Sequence, residues 1–195
     1  MLVFSEYQTD TIDLALDFYG YEDCPKNYEF GPSVRDNFVL HFITKGKGVF
    51  HFNKKEIHLE AGDLFLLPQN KVTYYKADEE EPWSYYWIGI SGTKVSDFMR
   101  FSTLHEKGFL KKTEVDTERI GQFMEQLVHK AEASKMTSHY QLHLLSQIYE
   151  LLYLIGEIAP NVQKSYLSPT YQLYLTCKHV IETHYGKEHL SIQEI

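Results

Sequence analysis

The chain has 195 residues, of which 43% are hydrophobic, so it can bury the core of one ordinary domain and part of a second. Its formal net charge of -8 argues against a nucleic-acid-binding surface within these residues, because phosphate binding needs a cationic surface. The N-terminus has no signal-peptide pattern, and no apolar run approaches the roughly 18 residues of a membrane span, so no membrane contact is expected.

The first hundred residues predict short β-strands separated by turns. The strands are rich in β-branched and aromatic residues, and turns with Gly or Asn separate several of them. The predicted strands cover residues 38–44, 49–53, 56–60, 64–68, 71–77 and 84–91. Strands at such near-regular spacing predict an antiparallel barrel or sandwich.

The second half of the chain predicts helices. From Asp116 the apolar residues recur with helical spacing, which predicts a first long helix. A second helix is predicted over 138–158, where Ser138 and Gln141 form a capping box. The polar stretch 161–168 that follows is a predicted linker.

A third helix is predicted after this linker. Ser168 is a suitable N-cap, Pro169 suits the first helical position, and Gly186 suits the C-terminal stop. Ser191 and Glu194 then form another capping box, which predicts the beginning of a further helix. A helix, a short turn and a new helix predict the start of a helix-turn-helix module.

Three segments resemble, in this order, the AraC/XylS family of bacterial transcription regulators. They are FGPSVRDNFVLHFITKGKGVFHF (30–52), the stretch 61–92 with its Pro-Trp-x-Tyr-x-Trp motif, and LTCKHVIETHYGKEHLSIQEI (175–195). The resemblance is best with the sugar-responsive members. It implies an α+β fold with a cupin-like (jelly-roll) antiparallel barrel that binds an effector, a helical hairpin for dimerisation, and a helix-turn-helix DNA-binding domain.

The resemblance also implies a division of the chain. Residues 1–160 would be the effector-binding and dimerisation domain, 161–168 the linker, and 169–195 the truncated start of the DNA-binding domain. The recognition helices would lie beyond residue 195. We therefore expect these 195 residues to sense a ligand and to dimerise, but not to bind DNA.

The implied effector pocket contains Lys45, Tyr75, Tyr85 and Trp87. Trp87 would be the platform on which a sugar stacks, and Lys45 would supply a charged donor. Alternation along strand 83–90 separates Tyr85 and Trp87 from Tyr86, but it leaves open which face looks into the barrel.

Other residues near this pocket have less specific interpretations. His41 and Ile43 share the face of Lys45 in an alternating strand, so they could line the same pocket. Arg35 and Asp36 are interpreted as an ion pair at a corner of the barrel. The arm before Gly31, which carries Tyr19, Tyr21 and Tyr28, could fold over bound ligand.

The predicted dimer surface lies on the second long helix. Its apolar arc is wider than one packing contact needs, and one of its two stripes consists of Leu144, Ile148, Leu151 and Ile155. This stripe could pack within the chain or meet its counterpart in a homodimer. We favour the homodimer, because a two-fold operator requires one.

No metal, cofactor or catalytic centre is expected. Metal-binding cupins generally carry a His-x-His pair, but Asn53 follows His51 at that spacing, so His51 and His58 are interpreted as strand-surface residues. Phosphate-loop and Gly-x-Ser-x-Gly motifs are absent. A metal-free cupin enzyme acting on a sugar-like substrate and a regulator with a non-sugar effector remain alternatives to a sugar-sensing regulator.

The expected partners are a small-molecule effector, of the carbohydrate class, and a second copy of the chain. DNA would be contacted only through the domain that continues beyond residue 195. Cys24 and Cys177 lie far apart, as is typical of reduced thiols in a cytoplasmic protein.

Overall fold

A computed structural model describes residues 5–6, 12–133, 138–162 and 169–184. The strands within these ranges are β1 (Ser5–Glu6), β2 (Ala15–Asp23), β3 (Glu29–Ser33), β4 (Phe38–Lys45), β5 (Lys47–Phe52), β6 (Lys55–Glu60), β7 (Leu64–Leu67), β8 (Thr73–Ala77), β9 (Ser84–Ser91) and β10 (Phe109–Leu110). The helices are α1 (Val95–Met99), α2 (Leu104–Lys107), α3 (Thr117–Ala133), α4 (Ser138–Ile158) and α5 (Pro169–His184).

The strands form two antiparallel sheets that face each other. The first sheet has the order β1-β2-β9-β4-β7-β10, and the second has the order β3-β8-β5-β6. Apolar side chains from both sheets meet in one cluster, which we call the barrel interior: Cys24, Val39, Ile43, Phe50, Phe52, Ile57, Leu59, Phe65, Leu67, Tyr75, Ala77, Trp83, Tyr85 and Trp87. Together with the helices that follow, this confirms the predicted α+β fold with a cupin-like barrel.

Alternation along the strands decides which side chains enter the barrel. In β6, Ile57 and Leu59 are buried in the interior, whereas Glu56 and His58 are exposed on the outer surface. His51 lies half-exposed on the same outer surface, where it contacts the ring of Tyr74. His51 and His58 are therefore strand-surface residues, as predicted.

The N-terminal strands β1, β2 and β3 were not predicted from the sequence. Strand β2 lies between β1 and β9 in the first sheet, and Tyr19 is buried there. A β-bulge between Leu16 and Phe18 interrupts the alternation of β2, and Gly20 weakens its strand pattern further. Tyr19 and Tyr21 thus belong to a strand of the barrel wall, which corrects their interpretation as part of an arm.

A second core lies between the first sheet and helices α3 and α4, and we call it the helix-side core. In β4, Phe38, Leu40 and Phe42 face this core, while the alternate residues face the barrel interior. The helical stripe predicted from the sequence supplies the other side: Ile120, Met124, Leu127, Val128 and Ala131. Gly121 allows α3 to approach the ring of Phe42 closely.

Helix α4 turns the predicted dimer stripe inwards. Leu144, Ile148, Leu151 and Ile155 are each at most 1% exposed and belong to the helix-side core of the single chain. The assignment of these four side chains to a dimer surface is therefore wrong, because their apolar area is already covered within one chain. The exposed apolar side chains of α4 are Leu142, Tyr149 and Tyr153.

The chain divides into two compact units, residues 1–161 and 162–195. In the second unit the structure describes helix α5, which spans the predicted third helix and exposes Tyr171, Leu173, Tyr174 and Ile181. The predicted caps at Ser168 and Gly186 and the capping box of Ser191 and Glu194 lie outside the described residues. Among the helices that are described, none is both long and apolar enough to span a membrane.

Candidate ligand-binding site

Strand β9 has both of its faces covered. Tyr85 and Trp87 point into the barrel interior, as does Trp83 just before the strand, whereas Tyr86 and Ile88 point into the helix-side core. The structure therefore settles which face of this strand looks into the barrel. The two large residues of the predicted pocket that come from β9 lie on the interior face.

Five of the predicted pocket residues meet in the barrel interior. Their strands bring them together: His41 and Ile43 come from β4, Tyr75 from β8, and Tyr85 and Trp87 from β9. The ring of His41 lies 4.9 Å from that of Tyr85 and 5.6 Å from that of Tyr75. The hydroxyl oxygens of Tyr75 and Tyr85 are 3.2 Å apart, within hydrogen-bonding distance.

Lys45 does not join this group. Ile43 pairs with Tyr85 and Lys45 with Ser84, so two steps along β4 correspond to one step along β9. This β-bulge breaks the alternation on which the prediction rested. The Lys45 side chain is 64% exposed, and its Nζ lies 2.8 Å from Oδ1 of Asp23. The prediction that Lys45 supplies a charged donor to the barrel interior is therefore wrong.

The surroundings of Asp23 show where Lys45 lies. Oδ1 of Asp23 also accepts hydrogen bonds from the hydroxyls of Ser84 and Tyr21. The ring of Tyr21 packs against that of Tyr86 on the helix side of the sheet. The hydrogen bond from Lys45 is the main reason that the pKa of Asp23 falls to about 2.

Burial keeps the interior side chains neutral. Desolvation, together with the positive charge of Arg35, lowers the pKa of His41 from 6.5 to about 3. Burial also raises the pKa of the Tyr75 and Tyr85 hydroxyls and raises that of the Cys24 thiol to about 12. At neutral pH the site therefore presents neutral hydroxyl and imidazole groups beside aromatic rings.

Two charged residues lie at this site: the sequence analysis missed Glu22 and assigned Arg35 to a different contact. Glu22 lies on the interior face of β2, and its Oε2 accepts a hydrogen bond of 3.4 Å from the Tyr85 hydroxyl. The guanidinium of Arg35 lies 4.7 Å from the ring centre of Phe30 and 5.8 Å from that of Phe18. Glu22 would have been found by alternation if β2 had been recognised as a strand.

The ring contacts of Arg35 replace the ion pair that was predicted with Asp36. Within the described part of the chain, no ion pair of Arg35 is found. A loop residue between two strands has no periodicity from which its direction could be read. Its position over Phe18 and Phe30 is therefore a finding of the structure alone.

The residues that the structure describes do not form a metal site. Among them, no group of three or more His, Cys, Asp or Glu side chains is arranged to hold a metal ion. His51 and His58 both lie near Glu56, at 3.9 and 3.3 Å, but on the outer surface of the barrel.

Comparison with known proteins identifies relatives of this chain. The family described as the AraC-like ligand binding domain matches residues 15–152. The Msm operon regulatory protein of Streptococcus mutans is 34% identical over 185 residues, which is 94% of this chain and 66% of that protein. The lactose operon transcription activator of Staphylococcus xylosus is 26% identical over 195 residues, which is 100% of this chain and 68% of that protein.

Two further similarities are partial. RafR, the raffinose operon transcriptional regulatory protein of Pediococcus pentosaceus, is 40% identical over 100 residues, covering 50% of this chain and 36% of that protein. A cupin protein from Bacteroides fragilis covers 49% of this chain and 80% of its own, with a TM-score of 0.39 and 16% identity. The chain thus spans about two thirds of the length of the Msm operon regulatory protein and of the lactose operon transcription activator. Because the family match covers residues 15–152, the chain belongs to the family of AraC-like ligand-binding domains.

Proposed function

We propose that this chain is the ligand-sensing and dimerising part of a cytoplasmic transcription regulator that binds a carbohydrate in its barrel. Family membership supports the sensing role, and two relatives are named for lactose and raffinose operons. The same relatives are named as regulators, which supports a sensor rather than an enzyme. DNA contact is assigned to the part of the relatives' length that this chain does not span.

The observation that carries the carbohydrate proposal is the position of Trp87. Sugars bind where an aromatic face covers their C–H surface and a few polar groups fix their hydroxyls. Trp87 lies in the barrel interior, and Phe18 packs edge-on against it at 5.4 Å. The Tyr85 hydroxyl and the Glu22 carboxylate supply polar groups on the same sheet, and the Tyr75 hydroxyl supplies one from the facing sheet.

The proposed output of binding is a change in the arrangement of two chains. A ligand shifts a conformational equilibrium only if it binds one state more tightly than the other. Strand β2 connects the site to the helix-side core, because Phe18 and Glu22 face the ligand while Tyr19 and Tyr21 face the helices. Ligand contacts on β2 would therefore reach α4, whose exposed apolar side chains are the proposed dimer surface.

A thermal-shift measurement tests the carbohydrate proposal. A panel that includes lactose, raffinose, galactose and glucose is tested on the wild type and on Trp87→Ala. At about 100 times its Kd, a bound sugar adds about 2.7 kcal/mol to the free energy of unfolding, which raises the Tm by roughly 5–10 °C. We expect this rise in the wild type and its loss in Trp87→Ala.

Tyr171→Ala serves as the matched aromatic control, since Tyr171 lies on α5 in the other unit. It is expected to keep the full shift. The proposal fails if no sugar stabilises the wild type, or if Trp87→Ala is stabilised as much as the wild type.

A further inference from the structure

On one side of the barrel, strand β2 of the first sheet faces strand β3 of the second, since Arg35 contacts a ring from each strand. The interior face of β2 carries Phe18, Gly20 and Glu22, which pair in register with Gly89, Trp87 and Tyr85 of β9. Gly20, which has no side chain, separates Phe18 from Glu22 on this face and pairs in register with Trp87. The ring of Trp87 thus lies between an apolar residue, Phe18, and an acidic residue, Glu22.

Arg35, in the loop between β3 and β4, connects the two sheets on this side of the barrel. Its guanidinium contacts Phe18 of the first sheet and Phe30 of the second. These two rings in turn contact the pocket aromatics, Phe18 against Trp87 and Phe30 stacked on Tyr75 at 5.5 Å. Among the described residues, Nε of Arg35 is buried without a hydrogen-bond partner.

Arg35 and Glu22 act on the same neighbours. Burial is the main cause that raises the pKa of Tyr28; the negative charge of Glu22 raises this pKa further, and the positive charge of Arg35 lowers it. Arg35 also acts on His41, whose buried Nδ1 has no hydrogen-bond partner within the described residues. Arg35 contacts Phe18 and Phe30, whereas Glu22 contacts the Tyr85 hydroxyl, so the cation and the carboxylate lie on different sides of Trp87.

We propose that Arg35 and Glu22 are the specificity-determining residues of this site and select a neutral ligand rich in hydroxyl groups. This inference rests on the proposed function and identifies the charged residues that select the ligand. A hydroxyl both donates and accepts hydrogen bonds, whereas a guanidinium only donates and a carboxylate only accepts. A neutral polyol satisfies both residues at once.

Other ligand classes satisfy this pair poorly. A sugar acid or sugar phosphate would pair with Arg35, but Glu22 would repel it across the site. An apolar ligand would leave the Arg35 guanidinium without an acceptor and would offer Glu22 no donor beyond the Tyr85 hydroxyl. Arg35 and Glu22 together therefore disfavour both anionic and apolar ligands.

Isothermal titration of the tightest-binding sugar of the panel tests the assignment. Arg35→Gln and Glu22→Gln are each expected to weaken binding by about 10- to 100-fold, the usual loss for a hydrogen bond to a charged group. Lys45→Gln is the matched control. It also removes a cation, but Lys45 pairs with Asp23 on the face of the first sheet that points away from the barrel interior. It is expected to change the Kd less than about twofold.

The preference for a neutral ligand is tested with sugars that differ only in charge. Galactose is compared with galacturonic acid, and glucose with glucuronic acid, on the wild type. Neither acid should bind more tightly than its parent sugar. Arg35→Lys, which keeps the cation but not the planar fork, should bind more weakly than the wild type and at least as tightly as Arg35→Gln. The Tm of each unliganded variant shows whether it is folded.

Several outcomes would overturn the inference. Wild-type affinity in Arg35→Gln or in folded Arg35→Lys would exclude Arg35 from the site, and an equal loss in Lys45→Gln would show a general charge effect. Tighter binding of either uronic acid would contradict the role of Glu22. If a neutral sugar binds but these variants are unaffected, the inference alone fails. If the wild type binds no sugar, the proposed function fails and the inference with it.

Discussion

His41 illustrates how burial fixes the chemistry of a single residue in this barrel. Its side chain is 3% exposed, and its ring stacks on Phe65 at 4.4 Å. Desolvation and the nearby Arg35 both disfavour the protonated imidazole. The sequence alone allowed His41 to face the pocket, but it contained no information on the protonation state, which depends on surrounding residues from other strands.

The buried imidazole predicts a dependence of stability on pH. The pKa of His41 is about 3 in the folded chain and about 6.5 when unfolded, so the unfolded chain takes up a proton as the pH falls below 6.5. The contribution of neutral His41 to the free energy of unfolding is fully present above pH 6.5 and is lost as the pH falls towards 3. Between pH 7.5 and 5 this linkage removes about 2 kcal/mol from the free energy of unfolding.

Urea unfolding at pH 7.5, 6 and 5 measures this effect. His41→Phe, which keeps an aromatic ring against Phe65, should lower the loss between pH 7.5 and 5 by about 2 kcal/mol. His58→Gln should leave the loss unchanged, since His58 is exposed on the outer surface. An equal pH dependence in the wild type and His41→Phe would contradict the pKa of about 3.

At the scale of elements, the strands from β4 to β9 were predicted within a few residues because their patterns are local. Alternation and turn residues mark a strand and its two faces, but not which face looks inwards. Lys45 was misplaced because a bulge depends on pairing with β9, which the sequence of β4 does not record. The stripes of α4 were misassigned for a similar reason: both are apolar, and only packing against α3 and the sheet buries one of them.

The approach of α3 to the first sheet gives a prediction at this scale. A Cβ at position 121 would lie 2.2 Å from ring atoms of Phe42, so Gly121→Ala overpacks the helix-side core. Overpacking typically costs about 1–3 kcal/mol, which exceeds or cancels the gain of up to about 1 kcal/mol in helix propensity. We expect the free energy of unfolding to fall by up to about 2 kcal/mol.

Gly156→Ala is the matched control on α4. There a new Cβ would meet only Cβ of Phe101 at 3.6 Å, an ordinary contact. This variant should be more stable than the wild type by up to about 1 kcal/mol, since only the helix propensity changes. Urea unfolding of both variants is the measurement, and an equal gain in both would show that Gly121 is not needed for close packing.

For the whole molecule, charge and exposed apolar surface suggest different partners. A net charge of -8 opposes binding to duplex DNA, whose phosphates need cationic side chains. Helix α4, by contrast, exposes Leu142, Tyr149 and Tyr153, which recur at spacings of seven and four residues along one stripe. A second copy of this chain offers the same stripe, so two α4 helices can cover each other around a two-fold axis.

Sedimentation velocity tests this dimer. The double variant Leu142→Glu, Tyr153→Glu places charges at both ends of the stripe, and a two-fold axis brings each charge against the partner helix. We expect the wild type to sediment as a dimer and the variant as a monomer with an unchanged far-UV spectrum, because both residues are more than half exposed in the single chain. Glu118→Lys with Lys130→Glu, two exposed changes on α3, should remain dimeric. A monomeric wild type, or a variant that dimerises as well as the wild type, would place the contact elsewhere.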